Sequence, residues 1–169
     1  MSYHLSALAL AALLWSTAAM SMPPASRSGT FHLDSPPQRA FALFTAQGER
    51  RWAPGWDPEI LSGDVERGSV FRTRSHNRTV VWIVSAYDAG AQRVSYARLV
   101  DGMNMGLVDV SCEAADGGTQ VTVRYTLTPL SEAGQHNIAH LLDAQHYAAF
   151  MEEWRAAITA ALRRDDEAD

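Results

Sequence analysis

Hydrophobic and polar positions in the middle of the chain form five short runs separated by turn residues. In the last two runs apolar side chains occupy every second position, which is typical of a β-strand with one buried face. The turns between the runs contain Gly, Asp and Asn, the residues that hairpin loops require. The runs span residues 69–75, 79–87, 93–100, 106–114 and 119–128. This succession predicts an antiparallel meander rather than alternating strands and helices.

Shorter patterns precede the meander. Residues 29–34 alternate Phe31 and Leu33 with polar neighbours and predict a short first strand. Pro36–Pro37 then marks the start of a helix that ends by Gly48. A second helical or turn piece is predicted at residues 49–61, where prolines and a glycine interrupt it.

The last part of the chain has a helical pattern. One helix from Ser131 to Arg164 would rise about 50 Å at ~1.5 Å per residue, too long for this domain, so a break near Gly134 or Asn137 is predicted. From Ala144 onward, apolar residues recur every three or four positions. They are Tyr147, Phe150, Met151, Trp154, Ile158 and Leu162. We expect this stripe to face the sheet.

Length and composition indicate one soluble domain. The chain has 169 residues, 47% hydrophobic and 20% charged, with a formal net charge of −5. That length suffices to bury a core without disulfides. No extended basic run is present, so nucleic acid is not an expected partner. Cys112 shares a face with Val108 and Val110 and is predicted to be a buried, unreactive thiol.

Residues 1–22 form an apolar segment unlike the rest of the chain, because the first charged side chain is Arg27. Three interpretations stay open: an export signal, a membrane anchor, or a start codon assigned too early. A genuine segment would make the protein exported or membrane-associated, with membrane contact only through these residues. Without it the protein would be cytoplasmic. Residues 23–28 are predicted to be a linker to a domain spanning residues 29–169.

Three stretches of the chain resemble the SRPBCC superfamily. They are FHLDSPPQRAFALFTAQGERRWAPGW (31–56), LTPLSEAG (127–134) and YAAFMEEWRAAI (147–158). This superfamily includes START lipid-transfer domains, the birch-pollen-allergen group, polyketide cyclases and heat-shock-ATPase activators. The resemblance implies an α+β helix-grip fold: a curved antiparallel sheet of about six to seven strands around a long C-terminal helix, with two short helices after strand 1. It further implies a pocket that receives an apolar or amphipathic small molecule.

The inward faces of the strands and the helical stripe predict the lining of this pocket. The candidates are Trp56, Phe71, Tyr96, Arg98, Val110, Val123, Tyr125, Phe150, Met151 and Trp154. Such a set is mostly apolar with few polar groups, as small-molecule pockets are. Arg98 either emerges at the strand end, which is the favoured interpretation, or points inward as an anchor for a carboxylate.

Three carboxylates near the predicted pocket entrance could carry chemistry. Glu49, Asp57 and Glu59 surround two tryptophans, and one of them could serve as a general acid or base if burial raised its pKa. The favoured interpretation is a solvated rim that balances Arg50 and Arg51. Serine-nucleophile motifs and phosphate-binding glycine loops are absent from the sequence.

His136, His140 and Asp143 would share one face of a continuous helix at a spacing that metal ligands use. The pattern is weak, because Gly134 and Asn137 argue against a helix here. We therefore predict no metal and no other cofactor.

These observations favour three functions in turn. The first is the binding of a hydrophobic or amphipathic small molecule. The second is an enzyme of the polyketide cyclase or dehydratase type, which would need an inward titratable group such as Arg98, Asp57 or Glu59. The third is a chaperone-activator-like interaction domain, which would need an exposed apolar patch. Ligand identity, catalysis and oligomeric state are not predicted.

Overall fold

The computed structural model describes residues 22–75 and 77–168. Within these residues the chain forms a seven-stranded antiparallel sheet, three α-helices and two 3-10 turns. The strands are β1 (Ala25–Leu33), β2 (Glu59–Ser62), β3 (Val70–Ser75), β4 (Arg78–Asp88), β5 (Arg93–Val100), β6 (Asn104–Ala115) and β7 (Gly118–Pro129). The helices are α1 (Pro37–Phe41), α2 (Glu132–Leu141) and α3 (Ala144–Asp166), and the 3-10 turns are Ala42–Phe44 and Gly48–Arg51.

The sheet is a meander whose first strand returns to its last. Its order is β1-β7-β6-β5-β4-β3-β2, so β1 pairs with β7 and only β2 and β1 are edges. Alternate residues of each strand point to the inner face, where α3 lies. Tyr147, Met151, Ile158 and Leu162 of α3 are buried in the same core as the inward side chains of β1 and β7. The predicted helix-grip fold is confirmed.

The break between the last two helices lies later than predicted. Ser131 caps α2 by accepting a hydrogen bond from Gly134 N at 3.0 Å, so the glycine lies inside the first turn. A Cβ on Gly134 would lie 1.7 Å from Met103 O, so the glycine permits a close approach rather than a break. The chain instead breaks at Leu142–Asp143, where Asp143 Oδ1 accepts from the amides of Gln145 and His146, both at 3.0 Å.

The N-terminal boundary also differs from the prediction. β1 begins at Ala25, so residues 25–28 belong to a strand rather than to a linker. Backbone pairing holds them, with Ala25 opposite Leu127 and Ser26 opposite Thr126, and Ser26 Oγ donates to Tyr125 O at 2.9 Å. Small polar side chains suffice because an edge strand needs backbone partners more than packing. The apolar segment predicted at residues 1–22 lies outside the described residues apart from Met22.

The segment before β3 differs from the prediction. The piece predicted at residues 49–61 is helical only at its start and ends in β2, an edge strand that the sequence pattern did not indicate. Among the described residues, no helix has the length and apolar character needed to cross a membrane.

Candidate functional site

A cavity of about 440 Å³ lies between the inner face of the sheet and the last two helices. This volume falls within the range of about 300–1,000 Å³ that is usual for small-molecule sites. Its walls come from the segment before β2, from strands β3 to β7, and from α2 and α3. The lining residues are Glu49, Trp52, Ala53, Pro54, Gly55, Trp56, Phe71, Thr73, Arg74, Ser75, Val80, Trp82, Tyr96, Arg98, Val108, Val110, Tyr125, Asn137, Leu141, Phe150 and Trp154.

One wall is a group of aromatic rings from neighbouring strands and the loop before β2. Phe71 of β3 and Trp82 of β4 are cross-strand partners, and their rings stack with centroids 5.8 Å apart. Trp56 meets both rings edge-on, at 6.1 Å and 5.7 Å, from the loop that Gly55 turns with a φ of 74°. Tyr96 of β5 closes the group, edge-on to Phe71 at 5.9 Å. These contacts pack the rings of the wall against one another, in the stacked and edge-on geometries that aromatic pairs prefer.

The opposite wall comes from α3. Trp154 lies edge-on to Phe150 at 4.9 Å and to Trp52 at 5.0 Å, and Phe150 reaches Tyr125 of β7 at 6.5 Å.

The indole N–H groups of three surrounding tryptophans are already engaged by the protein. Trp52 donates to Leu43 O at 2.7 Å and Trp56 to Ala46 O at 2.8 Å. Trp82 donates to Thr73 Oγ1 at 3.0 Å. These rings therefore offer a ligand apolar faces rather than hydrogen-bond donors.

Glu49 is the acidic residue of the lining. The 3-10 turn Gly48–Arg51 places it at the cavity, half-buried, and its carboxyl group forms no hydrogen bond or ion pair with any residue that the structure describes. Burial raises the pKa of Glu49 from 4.5 to about 8, because the charged form is poorly solvated there. At neutral pH Glu49 is therefore a neutral acid that can donate a hydrogen bond into the cavity. The solvated rim predicted for it is wrong.

The other two acids of the predicted rim have different surroundings. Asp57 is almost fully exposed and accepts from Arg50 Nη2 at 3.0 Å. Glu59 accepts from Arg72 Nε at 2.7 Å and Arg72 Nη2 at 2.8 Å, and these hydrogen bonds lower the pKa of Glu59. Both acids are ion-paired outside the main cavity, as a solvated rim would be.

Arg98 points into the cavity, so the favoured prediction of exposure at the strand end is wrong. Its Cζ lies 5.5 Å from the centre of the Trp82 ring, a cation–π geometry, while its buried Nε has no hydrogen-bond partner. The register places Arg98 on the inner face of β5, with Trp82 of β4 on one side and Gly106 of β6 on the other. Burial lowers the pKa of Arg98, although a guanidinium stays charged at neutral pH.

Two tyrosines complete the polar part of the lining. Tyr96 donates its hydroxyl proton to Phe44 O at 2.8 Å, and burial raises the pKa of Tyr96. Burial also raises the pKa of Tyr125 to about 12, while the charge of Arg98 lowers it and that of Glu49 raises it further. Tyr125 is thus within electrostatic reach of both Glu49 and Arg98, and the three groups share one neighbourhood.

Most of the predicted pocket residues lie around the cavity. They are Trp56, Phe71, Tyr96, Arg98, Val110, Tyr125, Phe150 and Trp154. Val123 and Met151 do not. Val123 is fully buried and its carbonyl accepts from Tyr147 Oη at 3.0 Å, while Met151 packs at Gly29 of β1. Both fill the core beside the cavity.

Several lining residues escaped the sequence prediction. Trp82 could have been found, because it shares the inward alternation of β4 with Val80 and Val84. Trp52 and Asn137 lie in non-repeating or exposed segments and carried no comparable signal.

The metal-ligand candidates do not assemble. Asp143 caps α3 instead of sharing a helix face with His136 and His140, and the ring of His140 lies beside that of His146 at 4.4 Å. Among residues 22–75 and 77–168, no three His, Cys, Asp or Glu side chains are placed to hold a metal ion. Burial raises the pKa of the Cys112 thiol to about 12, which makes it a poor nucleophile at neutral pH.

The outer face of the sheet carries a separate apolar patch. Ile83, Leu99, Met105 and Leu107 are each more than one-third exposed on β4, β5 and β6. Leu99 pairs with Met105, so the patch crosses neighbouring strands. It is the kind of surface that the interaction hypothesis requires, but nothing in the structure indicates the chemistry of a partner.

The sequence of the chain matches a known protein family. Residues 24–164 match the sequence profile of a family described as polyketide cyclase / dehydrase and lipid transport. No curated protein matches the sequence.

Solved structures share the fold at low sequence identity. Ara h 8.0201 aligns with a TM-score of 0.61 at 16% identity, covering 83% of this chain and 99% of that one. Norcoclaurine synthase from Thalictrum flavum aligns with a TM-score of 0.64 at 10% identity, covering 96% and 98%. A protein from Rhizobium leguminosarum aligns with a TM-score of 0.63 at 19% identity, covering 85% and 97%. Identities this low establish the fold alone.

Proposed function

The chain belongs to the polyketide cyclase/dehydrase and lipid transport family of the SRPBCC superfamily, and we propose on that basis that its cavity binds an amphipathic small molecule with a flat apolar body. The family description joins cyclisation, dehydration and lipid transport, each of which requires a small molecule to be held. Fold and cavity are compatible with all three activities.

The observation that carries the proposal is the preformed aromatic cavity. The stacked pair Phe71–Trp82 and the ring of Trp154 face about 440 Å³ of space, enough for a molecule of several fused or linked rings. Flat faces favour stacking over the looser contacts of an alkyl chain. A few polar groups at one part of the lining suit a molecule with one polar end.

Binding can be tested by filling the cavity. Native mass spectrometry of the full chain should find a co-purified small molecule, and β-naphthamide added after its removal should quench the tryptophan fluorescence. In Val108→Trp the new indole enters the cavity, and we expect binding of β-naphthamide to be lost.

Leu107→Trp is the matched control, because residue 107 directly precedes residue 108 on β6 and faces outward, 42% exposed. Thermal melts would verify that both variants are folded. Binding that persists unchanged in a folded Val108→Trp variant would contradict the proposed site.

Glu49 favours a second candidate, an enzyme of the cyclase or dehydratase type. A half-buried carboxyl group with a pKa of about 8 is matched to proton transfer near neutral pH. In such a step the Glu49 carboxylate would take a proton from the carbon next to a ligand carbonyl, leaving an enolate. The resulting carboxylic acid would then return a proton to carbon.

Deuterium exchange would test this second candidate. β-Tetralone in D₂O has exchangeable protons next to its carbonyl, and NMR follows their loss. We expect the full chain to accelerate exchange, increasingly as the pH approaches 8, and Glu49→Gln to abolish the acceleration. Equal exchange rates with the wild type and Glu49→Gln would exclude Glu49 as the base, and the proposed binding function would still stand.

A further inference from the structure

We propose that the cavity selects molecules that carry an acidic group, such as a carboxylate or a phenolate, and that Arg98 binds this group. The inference rests on the proposed binding function and specifies the class of ligand. It stands on the position of Arg98 in the cavity, on the absence of a counter-ion beside it among the described residues, and on the charges of the other lining groups.

Arg98 lines the cavity without a carboxylate partner among the described residues, in contrast to the exposed, ion-paired Arg72 and Arg155. Arg72 makes two hydrogen bonds to one glutamate, and Arg155 makes two to Glu152. The Arg98 guanidinium forms no ion pair or hydrogen bond with any residue that the structure describes, and its Nε is buried without a partner. A partly desolvated charge without a counter-ion is costly, and a bound anion would offset that cost.

The side chain is also oriented for binding an anion. Its Cζ lies over the Trp82 ring, 5.5 Å from the ring centre. The N–H groups lie at the edge of the guanidinium plane, where a carboxylate can accept two hydrogen bonds. The indole limits the rotation of the side chain, which reduces the entropy lost on binding.

The remaining lining groups do not neutralise Arg98 at neutral pH. Glu49 is the acidic residue of the lining and is mainly protonated, since burial raises its pKa to about 8. Tyr96 and Tyr125 are neutral, and the second cation, Arg74, lies exposed on β3. The cavity is therefore electropositive although the chain has a net charge of −5.

The same groups predict how acid binding depends on pH. Glu49 faces Tyr96 and Arg98 of β5, Tyr125 of β7 and the cation Arg74 of β3 around one cavity. As the pH rises through 8, Glu49 becomes charged and the attraction for an anion weakens. Affinity for an acid should fall over this range, whereas affinity for a neutral analogue should change less.

Three ligands with the same ring system would test the inference by calorimetry on the full chain: β-naphthoate, β-naphthamide and β-naphthylmethylammonium. We expect naphthoate to bind at least about tenfold more tightly than the amide, and the ammonium compound to bind weakest, at neutral pH. Arg98→Met should remove the preference for naphthoate and keep the amide bound. Arg98→Lys should keep part of the preference, because it keeps the charge but loses the two-pronged geometry.

Arg124→Met is the matched control, because it removes the same charge from the outer face of β7. This variant should keep the preference for naphthoate. Equal affinity of the wild type for naphthoate and naphthamide would overturn the inference and leave the proposed binding function standing. A preference that persists in Arg98→Met would also overturn it. If the wild type bound none of the three ligands, the proposed function itself would be contradicted.

Discussion

The two halves of the sheet's inner face differ in what covers them. Beside β1 and β7, α3 fills the space: Tyr147 and Met151 are buried against Gly29, and the Tyr147 hydroxyl donates to Val123 O. Beside β3, β4 and β5 the space is hollow and lined by aromatic rings. Both halves have the same alternating pattern, so the difference arises from the side chains of the helix and of the segment before β2.

Close approach explains the filled half. A Cβ on Gly29 would lie 2.6 Å from Met151 Cγ and 3.0 Å from Tyr147 Cε1, so the missing side chain brings α3 onto β1. In the hollow half, Phe150 contacts Tyr125 and Trp154 contacts Trp52, so these two rings pack at the cavity wall and do not fill the cavity. The filled half should therefore carry stability, and the hollow half binding.

The largest expected effect is truncation in the filled half. Tyr147→Ala removes a side chain that is 2% exposed, and we expect the free energy of unfolding to fall by about 3–5 kcal/mol, as for other buried aromatic residues. Phe150→Ala, on the next turn and facing the cavity, should cost less than half as much. Urea denaturation of both variants would measure the difference. Equal losses would show that the two halves do not differ in packing.

Overpacking the same contact should have a smaller effect. Gly29→Val places a branched side chain where Met151 and Tyr147 already lie, and such substitutions usually cost about 1–3 kcal/mol. Ligand affinity should change little, because the cavity is in the other half. Thermal melts and β-naphthamide titration of one sample would test both statements. A large loss of affinity at unchanged stability would contradict the assignment of Gly29 to packing.

The hollow half should make stability depend on pH through Glu49. Its pKa is raised from 4.5 to about 8 in the folded protein, so the unfolded chain releases this proton first as the pH rises. Wild-type stability should therefore fall, relative to Glu49→Gln, between about pH 4.5 and pH 8. The slope is at most about 1.4 kcal/mol per pH unit, reduced because the site is partly open to solvent. If the free energies of unfolding of the two proteins changed in parallel between these pH values, the raised pKa of Glu49 would be contradicted.

The sequence predicted the fold well because strand alternation is a local property. β5 was predicted at residues 93–100 and the structure gives Arg93–Val100. The helix break predicted near Gly134 was wrong. A glycine that ends a helix and a glycine that permits a close contact cannot be told apart from sequence, because the contact is made with a residue distant in the chain.

The candidate site was predicted less completely for a related reason. The alternation of β7 gives Val123 and Tyr125 the same inward face, but whether α3 fills the space above each depends on Gly29, far away in sequence. Glu49 was the hardest case, because its burial results from folding the 3-10 turn against the sheet and not from its neighbours in sequence. The prediction that Arg98 is exposed at the strand end was wrong, because its inward position depends on its pairing with Trp82 of β4, which the sequence of β5 does not reveal.

The smallest expected effect contrasts Glu49 with a glutamate outside the cavity. Glu59 is ion-paired with Arg72, which lowers the pKa of Glu59, so its contribution to stability is present above the unfolded pKa and lost as the pH falls through the lower folded value. The sign is opposite to that for Glu49. Because the pair is exposed, Glu59→Gln should leave the melting temperature almost unchanged at neutral pH, and salt should reduce the difference further. A loss at neutral pH comparable to that of Phe150→Ala would show that the edge strand β2 depends on this ion pair and would weaken the contrast between a buried and a solvated carboxylate.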